Sequence, residues 1–281
     1  MATSTLELCD VMKIWKNTAT LDAYVPELSA SAAPHEAEIA IIGSKPINID
    51  EFPNLKGVFK CGIGTDNVPF DACEVRGVHV GLPSQKTAEV IYEETANFAT
   101  MLVLQHLYAG AGSVEEWRKG NRRLLGNKKV LVVGTGRIGS RVRDKLSNMV
   151  RVRTFDQAID RHGDLWPLLG EADAVTLHIP LIAETASWFD EHKLGAMADG
   201  AVLINTARGA IVDENALLAE IASGRLRAAF DVFWSEPYHG PLRAYHPERF
   251  SMTPHVASTC VEFLEGLAND FREFGRQFQR G

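Results

Sequence analysis

Gly134, Gly136 and Gly139 follow the apolar run Val130-Leu131-Val132-Val133, and the acid Asp156 stands 22 residues beyond the first of them. A bare G-x-G-x-x-G recurs in ordinary loops; a strand before it, a helix after it and an acid at this distance give it meaning. Gly134 permits a tight turn, Gly136 lets the backbone approach a pyrophosphate, and Gly139 allows the helix to pack closely on the strand. The helix N-terminus then offers unpaired N–H groups and the positive end of its dipole to phosphate. Asp156 can accept hydrogen bonds from ribose hydroxyls, and its charge repels a 2′-phosphate. The spacing therefore predicts NAD in preference to NADP, with Arg161 the nearby cation that could neutralise a 2′-phosphate.

Three further side chains stand alone in segments that interrupt the regular pattern. Arg208 lies in Asn205-Thr206-Ala207-Arg208-Gly209, Glu236 in Asp231-Val232-Phe233-Trp234-Ser235-Glu236-Pro237, and His255 in Thr253-Pro254-His255-Val256-Ala257. Reduction of a carbonyl needs a cation to hold a carboxylate, an acid to protonate the oxygen, and a carboxylate to support that acid. These three residues supply that set. In a parallel sheet the C-terminal strand ends line one crevice, so Arg208 and Glu236 can converge there. An earlier loop, Gly62-Ile63-Gly64-Thr65-Asp66-Asn67, lacks the third glycine of a dinucleotide site but can turn backbone N–H groups toward a small anion.

Each has a bland alternative. An arginine after a strand is commonly a surface ion pair, and a lone histidine is commonly structural. The other eight histidines, His35, His79, His106, His162, His178, His192, His239 and His246, are read as structural, His178 as a packed core residue in mid-strand. Glu93 and Glu94 read as a helix face or a hinge contact, and Trp234 as pocket wall or core.

The elements that must carry these residues alternate strand and helix, as a parallel α/β sheet does. Glu38–Ile42, Gly57–Lys60 and Val78–Gly81 read as strands. Val90–Tyr108 reads as a helix, apolar nearly all round after Ala96 and so buried on every side. The polar stretch Ala109–Lys129 is the first candidate boundary. Beyond it Val130–Val133, Val150–Phe155, Ala174–Ile179, Ala201–Asn205 and Arg225–Val232 read as strands. Ile138, Val142 and Leu146 form one helical face, and Asp213 and Gly224 are placed to cap a helix at its two ends. Leu264, Leu267, Phe271, Phe274 and Phe278 predict a final amphipathic helix that returns to the N-terminal domain.

At 281 residues the length suits about two domains. With 46% hydrophobic and 23% charged residues the composition is that of a globular protein, which excludes disorder and small disulfide scaffolds. A net charge of −7 opposes binding to nucleic acid. No apolar run approaches the ~18–20 residues of a membrane span. Cys9, Cys61, Cys73 and Cys260 form no C-x-x-C, so no metal is expected, and a reduced, cytoplasmic protein without a signal peptide is the reading.

Several ordered motifs carry the reading further. From about Leu55 to Thr259 the chain resembles the NAD-dependent D-2-hydroxyacid dehydrogenase family, which includes phosphoglycerate dehydrogenases. The resemblance is densest in GTGRIG, LHIPL (177–181), INTARGAIVDENAL (204–217), DVFWSEP (231–237) and TPHVAS (253–258). It implies an α/β fold of two Rossmann-like lobes with parallel sheets. The substrate lobe is discontinuous, residues 1–95 with 257–281, and the NAD lobe is 96–256, with the active site in the cleft. Arg208 then holds the substrate carboxylate, His255 is the acid/base, and Glu236 is its partner. Arg137, Ile138, Pro180, Thr206 and Asp231 join the glycines and Asp156 at the cofactor, Asp231 near the nicotinamide carboxamide. The turn Gly62-Ile63-Gly64 meets the substrate carboxylate through its amides. A homodimer through the NAD lobe is also implied.

The chain departs from the family in three segments. Before Glu38 no first strand is evident, residues 157–170 look abbreviated, and Pro83-Ser84-Gln85-Lys86-Thr87 replaces the family's Pro-Gly-Asn-like turn. Lys60 and Lys86 would add positive charge for a substrate with a second anionic group, such as a phosphate or phosphonate (phosphonopyruvate or phosphohydroxypyruvate). Two rival readings stay open: an NAD(H)-sensing regulatory protein on this scaffold, and a formate- or phosphite-type dehydrogenase. Glu236 stands where the formate type has Gln.

Overall fold

The computed structural model describes residues 12–29 and 31–278; Cys9 lies outside them. The chain divides into two units, Met1–Ile91 with Thr259–Gly281, and Tyr92–Ser258. In the first unit β1 (Ile14–Lys16), β2 (Ile39–Ile42), β3 (Gly57–Lys60), α1 (Phe70–Val75) and β4 (His79–Gly81) build a parallel four-stranded sheet in the order β1-β2-β3-β4. Every residue of β2 and β3 is buried, the pattern of strands covered on both faces. β1 is a strand that the sequence pattern did not reveal. Its three residues pair Ile14 with Ile39 and Lys16 with Ile41, too short a run to show a period of two.

The boundary between the units falls inside one continuous helix, α2 (Gln85–Leu107), and not in the polar stretch at 109–129, which belongs to the second unit. α2 also begins five residues before the expected Val90. Ser84 is the reason: its hydroxyl accepts from the Thr87 N–H at 3.3 Å, and its own N–H is held by Asp270 at 2.8 Å. Lys86 therefore sits on the first turn of a helix and not in a loop. Nor is α2 buried on every side, since Asn97, Met101 and Gln105 make an exposed stripe at a spacing of four.

In the second unit the C-terminal part of α2 is followed by a small antiparallel hairpin, β5 (Gly112–Ser113) and β6 (Arg118–Lys119). There follow β7 (Lys129–Val133), α3 (Arg137–Leu146), β8 (Arg151–Phe155), α4 (Leu165–Glu171), β9 (Ala174–Leu177), α5 (Glu191–Ala196), β10 (Val202–Asn205), α6 (Glu214–Ser223), β11 (Arg227–Phe230) and β12 (Phe250–Met252). They form a parallel six-stranded sheet in the order β12-β11-β10-β9-β7-β8. The sequence pattern missed the three-residue β12. Asp213 caps α6 by accepting from the Ala216 N–H at 2.8 Å, and Gly224 ends it in the left-handed conformation at φ 79°. β7 lies between β8 and β9, so the chain leaves it in both directions, and a crevice opens at its C-terminal end.

The chain closes with α7 (Val261–Arg276), which returns to the first unit as its periodicity predicts. Phe263, Leu267, Phe271 and Phe274 are buried there with Ile39, Ile41 and Phe59. Each such side chain contributes about 1.5–3 kcal/mol of burial, and Asp270 and Arg272 add hydrogen bonds to the Ser84 N–H and the Tyr24 carbonyl of the same unit. Among the described residues no helix is long and apolar enough to cross a membrane.

Candidate active site

The glycine loop leaves the C-terminal end of β7 at the point where the strand order reverses. Gly134 adopts φ 89°, and a Cβ there would lie 2.6 Å from the His178 carbonyl oxygen. A Cβ on Gly139 would overlap the Gly134 carbonyl oxygen, at 1.9 Å. Gly136 differs, because a Cβ built on it meets no atom within 4 Å. Two glycines thus serve packing, and the third faces open space where a diphosphate can approach the backbone. α3 begins at Arg137 with no side chain capping its N-terminus. Its orphan N–H groups can take phosphate oxygens.

Asp156, just past β8, accepts from the Thr135 N–H at 2.8 Å, the Thr135 hydroxyl at 2.7 Å and the Ala158 N–H at 3.1 Å. The Thr135 N–H bond is the main cause holding its carboxyl below the usual range. Thr206, directly after β10, is buried, and its hydroxyl has no hydrogen-bond partner among the described residues. A buried donor left in that state points to a missing polar partner. With the open Gly136 it shows that these residues fit a dinucleotide. Pro180 lies past the end of β9, and its carbonyl accepts from the Thr185 hydroxyl at 2.7 Å. Ile138 is half-buried, and the Arg137 guanidinium lies 5.8 Å from the centre of the Tyr92 ring.

Arg208 follows β10, Asp231 and Glu236 follow β11, and His255 follows β12, three neighbouring parallel strands. The turn carrying Arg208 is tied from below by buried Asn205, whose amide donates to the Arg208 carbonyl at 2.9 Å and accepts from the Ala207 N–H at 3.0 Å. Arg208 Nη1 donates to the Ala207 carbonyl at 2.8 Å. A Cβ on Gly209 would strike the Phe233 backbone at 2.2 Å, so only glycine lets this turn press against the segment leading to Glu236.

His255 Nδ1 faces both carboxylate oxygens of Glu236, at 3.0 and 2.9 Å. A carboxylate only accepts, so Nδ1 carries the hydrogen and Nε2 is the nitrogen that can exchange a proton with another group. Glu236 is itself oriented by the Phe233 N–H at 3.2 Å. His255 has φ 54°, a conformation costly for a residue with a Cβ. Asp231 holds it there: fully buried, it accepts from the Thr253 hydroxyl at 2.6 Å, the Val256 N–H at 2.9 Å and the Ala257 N–H at 2.8 Å. Burial pushes the Asp231 carboxyl above its ordinary range, against the pull of those bonds.

Two further expectations change, those for His178 and Lys60. His178 stands just beyond β9, not in mid-strand, with its ring bonded to the Thr176 hydroxyl at 2.9 Å. Burial lowers it to about 3, so it is neutral support beneath the glycine loop. Glu93 pairs with Lys145 and with Arg141 of α3. Trp234 stacks on Phe230 and donates to the Val212 carbonyl at 2.7 Å, a wall fixed in place. In the first unit Gly62 has φ 137°, which only glycine adopts freely. Lys60 is 2% exposed, and its ammonium donates to the Gly43 carbonyl, which also accepts from Asn67 at 2.8 Å. It braces that turn from inside the sheet and presents no charge at the surface. The sequence reading missed Asn205, Thr135 and the hub role of Asp231. Only the polar types after each strand hinted at them.

The fold and the glycine loop define a dinucleotide-dependent oxidoreductase. The model for the "D-isomer specific 2-hydroxyacid dehydrogenase, NAD binding domain" matches residues 100–257. A glyoxylate reductase of Pyrococcus horikoshii is 32% identical over 254 residues, 82% of this chain and 75% of that protein. A D-3-phosphoglycerate dehydrogenase of Mycobacterium tuberculosis is 32% identical over 89% of this chain, which spans 49% of that longer protein. The crystal structure of D-lactate dehydrogenase from Aquifex aeolicus with NAD and lactic acid superposes with a TM-score of 0.71 at 26% identity, over 88% of this chain and 84% of that one. The chain belongs to the D-isomer specific 2-hydroxyacid dehydrogenase family. It is an NAD-dependent oxidoreductase acting on the CH–OH group of 2-hydroxy acids.

Proposed function

We propose that the protein reduces a small 2-oxo acid with NADH and that Arg208, Glu236 and His255 carry the reaction. The observation that supports it is the His255–Glu236 pair, in which Nδ1 is committed to the carboxylate and Nε2 is left for the proton. Bound NADH supplies the hydride to the carbonyl carbon. His255 Nε2 gives a proton to the carbonyl oxygen, and the planar fork of Arg208 holds the substrate carboxylate and polarises the ketone. Gly134, Gly136, Arg137, Ile138, Gly139, Asp156, Pro180, Thr206 and Asp231 are proposed for the cofactor. In the first unit the turn Gly62-Ile63-Gly64 is proposed for the carboxylate, which makes that unit the substrate domain.

The substrate favoured is a small monoanionic acid of the glyoxylate or hydroxypyruvate kind. Glyoxylate reduction is the activity of the Pyrococcus horikoshii relative, and burial of Lys60 removes one of the two lysines that argued for a second anion. Lys86, exposed on the first turn of α2, carries the reading of a phosphonate or phosphate substrate alone. The protein is further proposed to be a cytoplasmic homodimer. Trp117 and Val114, beside the β5–β6 hairpin, are 87% and 78% exposed and suit a second copy. Light scattering tests that state.

The reaction is tested by following NADH absorbance against glyoxylate, hydroxypyruvate, pyruvate, phosphonopyruvate and phosphohydroxypyruvate. Wild type and Lys86→Ala are run side by side. Turnover on the first two, indifferent to Lys86, is expected. A preference for the phosphorylated or phosphonate acids that Lys86→Ala abolishes would establish the dianionic substrate instead. NADH binding with no turnover on any acid would overturn the enzyme reading in favour of a sensor.

A further inference from the structure

The ribose acid does not stand alone. Asp156 Oδ2 accepts two hydrogen bonds from one residue of the glycine loop, the N–H and the hydroxyl of Thr135, at 2.8 and 2.7 Å. Its other oxygen accepts from the Ala158 N–H at 3.1 Å. The turn beyond it is closed by Asp160, whose carboxylate accepts from the Asp156 N–H at 2.7 Å and whose own N–H donates to the Asp156 carbonyl at 2.8 Å. The backbone of 156–160 is therefore set by the chain itself. The carboxylate is held by two backbone N–H groups and by one side-chain hydroxyl, that of Thr135, the only one of the three donors that a substitution can remove.

We infer that Thr135 is a specificity-determining residue, positioning the Asp156 carboxylate so that the acceptor site left on Oδ1 takes a ribose hydroxyl of NAD and the charge cannot withdraw from a 2′-phosphate. The inference rests on the reading of Asp156 as the ribose acid. The physical reason is rotational. An aspartate carboxylate turns about two bonds, and near a dianionic phosphate it would swing toward solvent at little cost. Two donors on one oxygen oppose that swing, and each bond to a charged acceptor is stronger than a neutral one. Thr135 touches neither the hydride nor the phosphates in this role. It works through Asp156, and it links the position of the acid to the loop that seats the diphosphate. A threonine is needed at the second position of the G-x-G motif only if its hydroxyl has this partner, since an aliphatic side chain would fill the same space.

The test measures dissociation constants for NADH and NADPH by fluorescence on the full-length protein, in wild type, Thr135→Val, Thr135→Ser, Asp156→Ser and the Thr135→Val/Asp156→Ser double variant. Thermal melts check folding. Thr135→Val is expected to weaken NADH by about 5–10-fold, the effect of one charge-assisted bond, and to leave NADPH unchanged or tighter. Thr135→Ser keeps the hydroxyl and should restore the wild-type ratio. In the Asp156→Ser background the Thr135 substitution should have no further effect. If Asp156→Ser shifts the NADH-to-NADPH ratio but Thr135→Val does not, the positioning role is wrong and the ribose reading stands. If Asp156→Ser leaves the ratio untouched, the ribose reading falls and takes the inference with it. An equal loss for both cofactors in Thr135→Val, unrescued by serine, would also overturn the inference, since it would mark a structural role for the loop residue.

Discussion

Asp231 and His255 never touch by hydrogen bond, yet the first decides where the second points. The Asp231 carboxylate collects the Thr253 hydroxyl and the Val256 and Ala257 N–H groups, the residues on either side of His255. The turn they form holds His255 at φ 54°, where its ring meets Glu236. A local backbone cost is thus carried by a buried, fully used acceptor.

Replacing Asp231 by Asn keeps the shape but gives one of those donors an N–H to face. The expected result is a loss of about 1–3 kcal/mol of stability. As the turn relaxes, kcat should fall about tenfold or more in line with the scale of acid–base catalysis. Urea melts and steady-state rates on the same preparation check both. Unchanged kcat would show that His255 keeps its place without the hub.

His255→Ala should lower kcat by about 10²–10⁴-fold, the usual worth of a positioned acid–base group, with little change in the NADH dissociation constant. Glu236→Gln should lower kcat less, because a neutral amide still orients the ring but no longer supports its charge. The comparison is a stopped-flow single-turnover measurement, which separates the chemical step from product release. Equal losses in binding and rate would argue that the pair is structural.

Two glycines of the same loop should respond in opposite ways. Gly139→Ala places a Cβ 1.9 Å from the Gly134 carbonyl oxygen, so the fold must give, and a clear drop in melting temperature is expected. Gly136→Ala places its Cβ in open space and should melt like wild type while losing most of its affinity for NADH. Differential scanning fluorimetry with and without NADH distinguishes them. A Gly136→Ala protein that binds NADH normally would move the diphosphate elsewhere.

Acid stability should depend on His106. Burial, with the Arg227 guanidinium beside it, lowers this histidine from 6.5 to about 4. The unfolded chain takes up a proton near pH 6.5 that the folded chain refuses until about pH 4, so this contribution is complete above that window and is lost as pH falls through it. The slope is at most about 1.4 kcal/mol per pH unit for one such group. His106→Gln should flatten the decline between pH 6.5 and 4 in urea melts. An unchanged slope would exclude His106 as its source.

Strands β2 and β3, the caps of α6 and the phenylalanine face of α7 were all readable from residue order. Each rests on local chemistry: continuous apolar runs, an N-cap acid with a C-cap glycine, or a period near 3.6. β1 and β12 were not readable, because three residues make no period and their strand character comes from pairing with β2 and β11. The early start of α2 depends on Asp270 holding Ser84 from 186 residues away. No local rule contains that contact.

Residue order by itself determined the family, the dinucleotide loop and the three residues proposed for the chemistry, because motif types and spacings are properties of the chain. Tertiary structure alone decided which polar groups face which. It buried Lys60 against the Gly43 carbonyl, committed Nδ1 of His255 to Glu236, made Asp231 the hub of a strained turn, and tied Asp156 to Thr135. Those outcomes depend on side-chain direction and on donors brought from other strands. Both are fixed by packing at the sheet's C-terminal edge and not by the order of residues along any one segment.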